Sequence, residues 1–297
     1  MTSEATAVSP VVDRIRDLQR ECDQHLRRGR VYYVCTLLTA PTVLLLAIVA
    51  KTAGIGDPII AMLPGVPIFF LLMALDCAND SECQRLRNAQ AALILSAISD
   101  GAEVDFALYL RGNATDDRLD DESYSAQYGR HYQKSEKGLA NALQSIAPLI
   151  AIGGNADTIG AGRTQVDESD WRGVISLLME RARIIVFVPW FTPGAIWEAE
   201  ELRRRSLLRR SIFVMPKKNP PLVTDDSWKK VQAAMRQAGL ELPNYNYWGM
   251  LFTLDGNGQV GDTAYLPGVG WRRTRSEILT LARGLGLVLK ERAKANA

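Results

Sequence analysis

The sequence predicts a two-helix transmembrane hairpin followed by an α/β domain built on a five-stranded parallel sheet with helices on both faces. Three observations carry this. Two apolar stretches near the start, 31–50 and 58–75, contain no charged residue. Five short apolar runs after residue 100 alternate with segments of helical periodicity. Those runs are continuously apolar rather than alternating, as strands buried on both faces are.

The hairpin comes first in the chain. A helix rises ~1.5 Å per residue and a bilayer core is ~30 Å thick, so VYYVCTLLTAPTVLLLAIVA and PIIAMLPGVPIFFLLMAL are each long enough to span it. The link KTAGIGD allows only a tight return. Neither stretch shows the polar stripe of a core helix. No ionisable residue interrupts either one, which argues for an anchor rather than an ion pathway. Arg14, Arg16, Arg20, Arg27, Arg28 and Arg30 precede the first span, and Arg85 and Arg87 follow the second. The positive-inside rule then places both termini in the cytoplasm of a multi-pass cell-membrane protein. The arginines also suit anionic headgroups, so the lipid bilayer is an expected partner.

The organisation that follows is a basic helical segment at 1–30, the hairpin at 31–76, a juxtamembrane helix at 77–100 and a cytoplasmic domain at 101–297. A net charge of +2 gives no global nucleic-acid signature. The four cysteines, Cys22, Cys35, Cys77 and Cys83, lie in or beside the membrane on a reducing side, so disulfides are not expected. With His25 and His131 as the only histidines, no metal or other cofactor is expected.

Within the domain, expected strands are Val104–Leu110, Pro148–Gly153, Arg183–Pro189, Ser211–Pro216 and Met250–Leu254. Expected helices are 134–147, 170–182 capped by Asp170, 192–209 capped by Thr192 with Pro193 at its first position, 226–238 and 274–292. Residues 111–133 and the glycine-rich stretch 154–169 read as loops.

In such sheets ligands bind outside the carboxyl ends of the strands. After the first strand, Arg111 and the acids that include Asp116 can meet phosphate or ribose. After the second, Gly153 opens a stretch where backbone can approach a ligand closely. After the third, PWFTPGAIWE places Trp190, Thr192, Gly194, Trp197 and Glu198 around a helix N-terminus. Its rings can stack on a base or nicotinamide. Its carboxylate can bond ribose hydroxyls, act as a nucleophile or stabilise an oxocarbenium ion.

The order of these motifs resembles something known. The strand ending Tyr-Leu-Arg, then AIG, a Gly-Ala-Gly-Arg turn, D-x-x-D-W, A-R-I-I-V and T-P-G-x-x-W-E together resemble a bacterial group in the TIR-like (Toll/interleukin-1 receptor-like) superfamily. The last segment is also similar to the glutamate motif of nucleoside deoxyribosyltransferases. The resemblance spans residues 104–216. It implies a flavodoxin-like, TIR-like domain, with Glu198 as the catalytic carboxylate and Arg111 beside the substrate's phosphate or ribose. It also implies hydrolysis of the N-glycosidic bond of NAD or a related nucleotide in signalling or defence. Counted three residues after the tryptophan, as the TIR pattern has it, the glutamate is instead Glu200. The alternative is a non-catalytic membrane signalling module that self-associates through the same fold.

Overall fold

A computed structural model describes residues 10–52, 65–111, 136–144, 146–153, 159–167, 169–217, 224–265 and 271–284. The amphipathic segment at 11–30 and the first apolar stretch form a single helix, α1 (Pro10–Thr52), which continues through Pro41. The end of the second apolar stretch and the juxtamembrane segment form another, α2 (Gly65–Ser99). The two pack antiparallel. Gln90 Nε2 donates to the Ile15 carbonyl at 3.1 Å, the Cys22 thiol to the Cys83 carbonyl at 3.9 Å, and Asn79 Nδ2 to the His25 carbonyl at 2.9 Å. All four cysteines are free, and Cys22 and Cys83 are buried against each other with Leu18 and Leu86.

The helices change character along their length. Leu37, Leu38, Leu44 and Leu45 of α1 and Phe70 and Leu71 of α2 are exposed. At the other end Ile15, Ala91, Ile94 and Ile98 are buried in the core of the α/β domain. Among the described residues one helix, α1, is long and apolar enough to cross a membrane by length and composition, and only 6% of its most apolar window is buried. The expected two-span hairpin is thus seen in part. Residues 58–64 of the second stretch lie outside the described residues, and the remainder opens α2.

The domain's sheet has seven strands: β1 (Ala107–Arg111), β2 (Leu149–Ile152), β3 (Gly162–Thr164), β4 (Ile184–Val188), β5 (Ser211–Met215), β6 (Met250–Leu254) and β7 (Val260–Tyr265). Their order is β3-β2-β1-β4-β5-β6-β7. The first five are parallel, whereas β6 and β7 are antiparallel. All five expected strands form, but the five-stranded, wholly parallel sheet is corrected on three points.

The fifth strand is reversed. After the helix at Asp225–Gln237 the irregular segment 238–249, with turns at 238–239 and 247–248 and with Leu240 and Leu242 buried, precedes β6, which enters from the opposite end. A tight turn then adds β7, where Asp255 Oδ1 accepts from the amides of Asn257 and Gln259. The third correction is β3, which lies inside the stretch expected to be a loop.

Helices cover both faces. On one face α3 (residues 136–143) packs Leu139, Ala142 and Leu143 on Ala107, Tyr109 and Val186, and Ile278, Leu281 and Ala282 of α7 (Trp271–Gly284) join them. On the other, α4 (Trp171–Arg181), α5 (Pro193–Arg204) and α6 (Asp225–Gln237) cover Leu108, Leu110, Phe187 and Phe213. Asp170 stands at the N-cap of α4 without a side-chain bond to the helix, whereas Thr192 and Thr224 both cap as side-chain acceptors. The expected loop 111–133 lies outside the described residues beyond Arg111, as does the expected helix 274–292 beyond Gly284.

Strand β3 exists because α2 lies directly on it. A Cβ at Gly162 would overlap the Arg87 carbonyl, so only glycine lets strand and helix approach this closely. Gly162→Ala is expected to destabilise the protein by about 1–3 kcal/mol in denaturant unfolding. Gly173→Ala, on α4 with nothing within 4 Å of the added methyl, is expected to stabilise by up to about 1 kcal/mol. Equal effects at the two positions would contradict the close-packing account.

Candidate functional site

The sheet winds in two directions from its middle. The chain leaves β1 for α3 on one face and leaves β4 for α5 on the other, while Arg111 and Val188, the last residues of these two strands, are register partners. The region beyond these two strand ends is the switch point at which doubly wound sheets bind ligands. Sequence reasoning put Arg111, Trp190, Thr192, Gly194 and Glu198 at this end, and the strand order sets Arg111 beside Val188, the strand end that leads to the other four.

The loop after β4 is tied to the helix that follows it by hydrogen bonds. Thr192 is buried, its hydroxyl accepting from the Ala195 amide at 3.4 Å and its carbonyl from Ile196 at 3.0 Å. Pro193 starts the helix and Gly194 sits half-buried in its first turn. Trp190 is half-buried and stacks on exposed Phe191, with ring centroids 5.0 Å apart. Glu198 lies on the inward side of α5 at 6% exposure, while Glu200 is exposed. Of the two carboxylates, Glu198 therefore occupies the protected environment that strengthens electrostatic work. Glu201 is engaged elsewhere. Bonds from Arg204 and Arg205 hold its carboxyl down to about 2.

Trp197 packs between helices. Its ring meets Trp171 edge-on at 5.0 Å, and the Arg172 guanidinium lies 5.4 Å from its centroid. These contacts give it a packing role between α4 and α5. Asp116 lies outside the described residues.

On the other side of the switch point, Arg111 joins a charged cluster that the sequence reading missed. Arg111 Nη1 lies 3.3 Å from Glu136 Oε2, and Arg163 Nη2 lies 2.5 Å from Glu136 Oε1. The Ala161 amide donates to Glu136 Oε1 at 3.0 Å. Arg163 Nη1 also donates to the Gly153 carbonyl at 3.2 Å, so Gly153 supports an arginine with its backbone. Glu136 is fully buried and Arg163 nearly so, and this burial pulls the Arg163 guanidinium below its ordinary value. Arg163 stands in the glycine-rich stretch, but nothing in the sequence ties it to Glu136, 27 residues earlier.

Helix α2 supplies the wall of this cluster. Gln84 accepts from the Gly160 amide at 2.7 Å and donates to the Ala161 carbonyl at 2.9 Å. Asn88 Oδ1 accepts from the Arg163 amide at 2.9 Å. Arg87 sends one arm to the Gly160 carbonyl and the other to Asn141 Oδ1. Lys137 pairs with Asp80 next door. A further aromatic group, Tyr247 and Trp248 with Lys217 Nζ 5.2 Å from the Trp248 ring, stands exposed beyond the ends of β5 and β6.

Compared with known proteins, the chain matches no protein-family model, no curated protein and no solved structure. Among the described residues, no group of three or more His, Cys, Asp or Glu side chains is placed to hold a metal ion.

Breaking a buried ion pair from one side strands the other charge. Arg163→Gln should therefore lower stability by about 3–5 kcal/mol, while exposed Glu200→Gln should stay within about 0.5 kcal/mol of the parent. Urea unfolding of both variants checks this, and a neutral Arg163→Gln would show that the cluster bears no load.

Proposed function

We propose that this chain is a membrane-anchored, TIR-like effector or signalling protein whose cytoplasmic domain hydrolyses the N-glycosidic bond of NAD or a related nucleotide. The anchor is the paired α1 and α2, their exposed apolar ends facing lipid as a two-span hairpin with both termini in the cytoplasm. Support for the anchor is the exposed leucine and phenylalanine surface at the far end of helices whose near ends are buried in the domain core.

The observation that carries the catalytic reading is the buried Glu198. It sits in the second turn of the helix that follows β4, on its inward side. In the reaction, water adds to C1′ of the ribose as the C1′–N bond breaks. The base leaves with the bonding electron pair, and the water's spare proton goes to solvent. Glu198 stabilises the oxocarbenium character that develops at C1′. A ring at the strand end, such as Phe191, supplies a stacking surface for the base.

The second reading is a non-catalytic assembly module of the same fold. It draws support from β7, at the edge of the sheet among the described residues and exposed along nearly its whole length, a surface on which a second copy could add a strand.

The test uses the full chain in lipid nanodiscs at high surface density, incubated with NAD, with nicotinamide release followed by chromatography. Release is expected from the parent, with at least a 100-fold loss in Glu198→Gln and near-parent rates in Glu200→Gln. No release from a folded, crowded parent would overturn the hydrolase reading and leave the assembly module.

A further inference from the structure

We propose that Cys22 of α1 and Cys83 of α2 are a redox-sensitive thiol pair, which a small hydroperoxide closes into a reversible disulfide across the two helices. Helix register carries the proposal. Contacts between Ile15 and Gln90, Cys22 and Cys83, and His25 and Asn79 run down one helix as they run up the other, so the two cysteines face each other. The Cys22 sulfur lies 3.9 Å from the Cys83 carbonyl and within hydrogen-bond reach of the Cys83 sulfur. A disulfide needs the two Cα atoms within about 7 Å of each other. The helices are close here: the sulfur of one reaches the main chain of the other, and two turns further along α1 a Cβ at Gly29 would fall 2.8 Å from Asn79 Nδ2.

The surroundings divide the roles. Leu18 and Leu86 pack around the pair, and Cys22 and Cys83 are 0% and 3% exposed. A buried cysteine in apolar surroundings is inert, because the thiolate is the nucleophile and burial disfavours it. Here a bond from the Cys22 thiol holds the Cys83 thiol below its ordinary value against the effect of burial, and the Arg87 charge one turn further along α2 acts in the same direction. Cys83 is therefore the attacking sulfur and Cys22 the resolving one. Burial also selects the oxidant, since a peroxide can enter a seam that excludes a bulky disulfide.

The reaction balances in two steps. The Cys83 thiolate attacks one oxygen of the peroxide and the O–O bond breaks. Hydroxide leaves and takes up the proton that the thiol gave, so one water departs and Cys83 is left as a sulfenic acid. The Cys22 sulfur then attacks the Cys83 sulfur and the S–O bond breaks. The departing oxygen takes the Cys22 proton and leaves as a second water. The two thiols lose two electrons, and the peroxide gains them.

The bond would act at the seam. Cys83 immediately precedes Gln84, which accepts from the Gly160 amide and donates to the Ala161 carbonyl. Closing the disulfide fixes this point of α2 to α1 and so holds the edge of the sheet more firmly.

The test uses the full chain in phosphatidylcholine nanodiscs, with Cys35→Ala and Cys77→Ala so that no other thiol competes. The folded chain is treated with hydrogen peroxide, its remaining thiols are blocked with a maleimide in denaturant, and peptides are identified by mass spectrometry without reductant. A Cys22–Cys83 cross-link within one chain, lost on adding dithiothreitol, is expected. Cys22→Ala should leave Cys83 carrying added oxygen, whereas Cys83→Ala should leave Cys22 unmodified. In the cross-linked chain the Gly160 and Ala161 amides should exchange about tenfold more slowly than in the reduced one. Two reduced thiols after peroxide treatment of a folded chain would overturn the pair, as would a cross-link that forms only after urea has unfolded it. Unchanged exchange in the cross-linked chain would overturn the tie to the seam.

Discussion

The contact on which the rest of the structure depends is the seam between α2 and the edge of the sheet. Strand β3 is three residues long and lies at the edge, a position that ordinarily leaves a row of backbone groups open. Here the helix closes it. The Gln84 amide meets the Gly160 amide and the Ala161 carbonyl much as a neighbouring strand would, and Asn88 takes the Arg163 amide. Gly162 permits the close approach this needs. Without the seam, Arg163 would lose its position, and Glu136 would lose both the guanidinium and the Ala161 amide that hold it.

The same seam makes the helical pair part of the domain rather than a tether to it. Ile15, Ala91, Ile94 and Ile98 share one core with Leu108, Phe187 and Trp228. A helix that begins among exposed leucines and phenylalanines therefore lines the charged cluster with its middle, at Gln84, Arg87 and Asn88. Any displacement of α2 along its axis would have to move Gln84, Arg87 and Asn88 together, and with them the segment that carries Arg163. A shift of the exposed apolar end of α2 thus has a short physical route to the candidate site, made of one helix and a few buried hydrogen bonds.

What the sequence made legible follows from how each element is stabilised. The five apolar strands are stabilised by burial on both faces, and uninterrupted apolar runs such as IIVFV announce that directly. The start of α5 was legible because Thr192 and Pro193 are local signals, and they place Glu198 on the inward side. Strand β3 was not, because Gly-Arg-Thr has no apolar pattern and its stability comes from a helix some 75 residues earlier. The reversal of β6 was equally hidden, since MLFTL looks the same in either direction. It is set by the irregular segment before it. Glu136 and Arg163 escaped notice for a related reason: a buried ion pair between distant positions leaves no spacing to read. The aromatics illustrate the limit from the other side. Trp197 looked like a stacking platform by its motif, and only the position of Trp171 and Arg172 shows that its ring is occupied by packing.

Amide hydrogen exchange on the full chain in nanodiscs, compared between the parent and Gln84→Ala, tests the seam most directly. If α2 holds the sheet edge, the amides of Gly160, Ala161 and Arg163 should be protected in the parent. In the variant they should exchange at least tenfold faster, while Ile185 and Val186 in the middle of the sheet stay unchanged. Unchanged protection at all three positions in Gln84→Ala would show that the edge stands without the helix, and that the charged cluster is not tied to the helical pair.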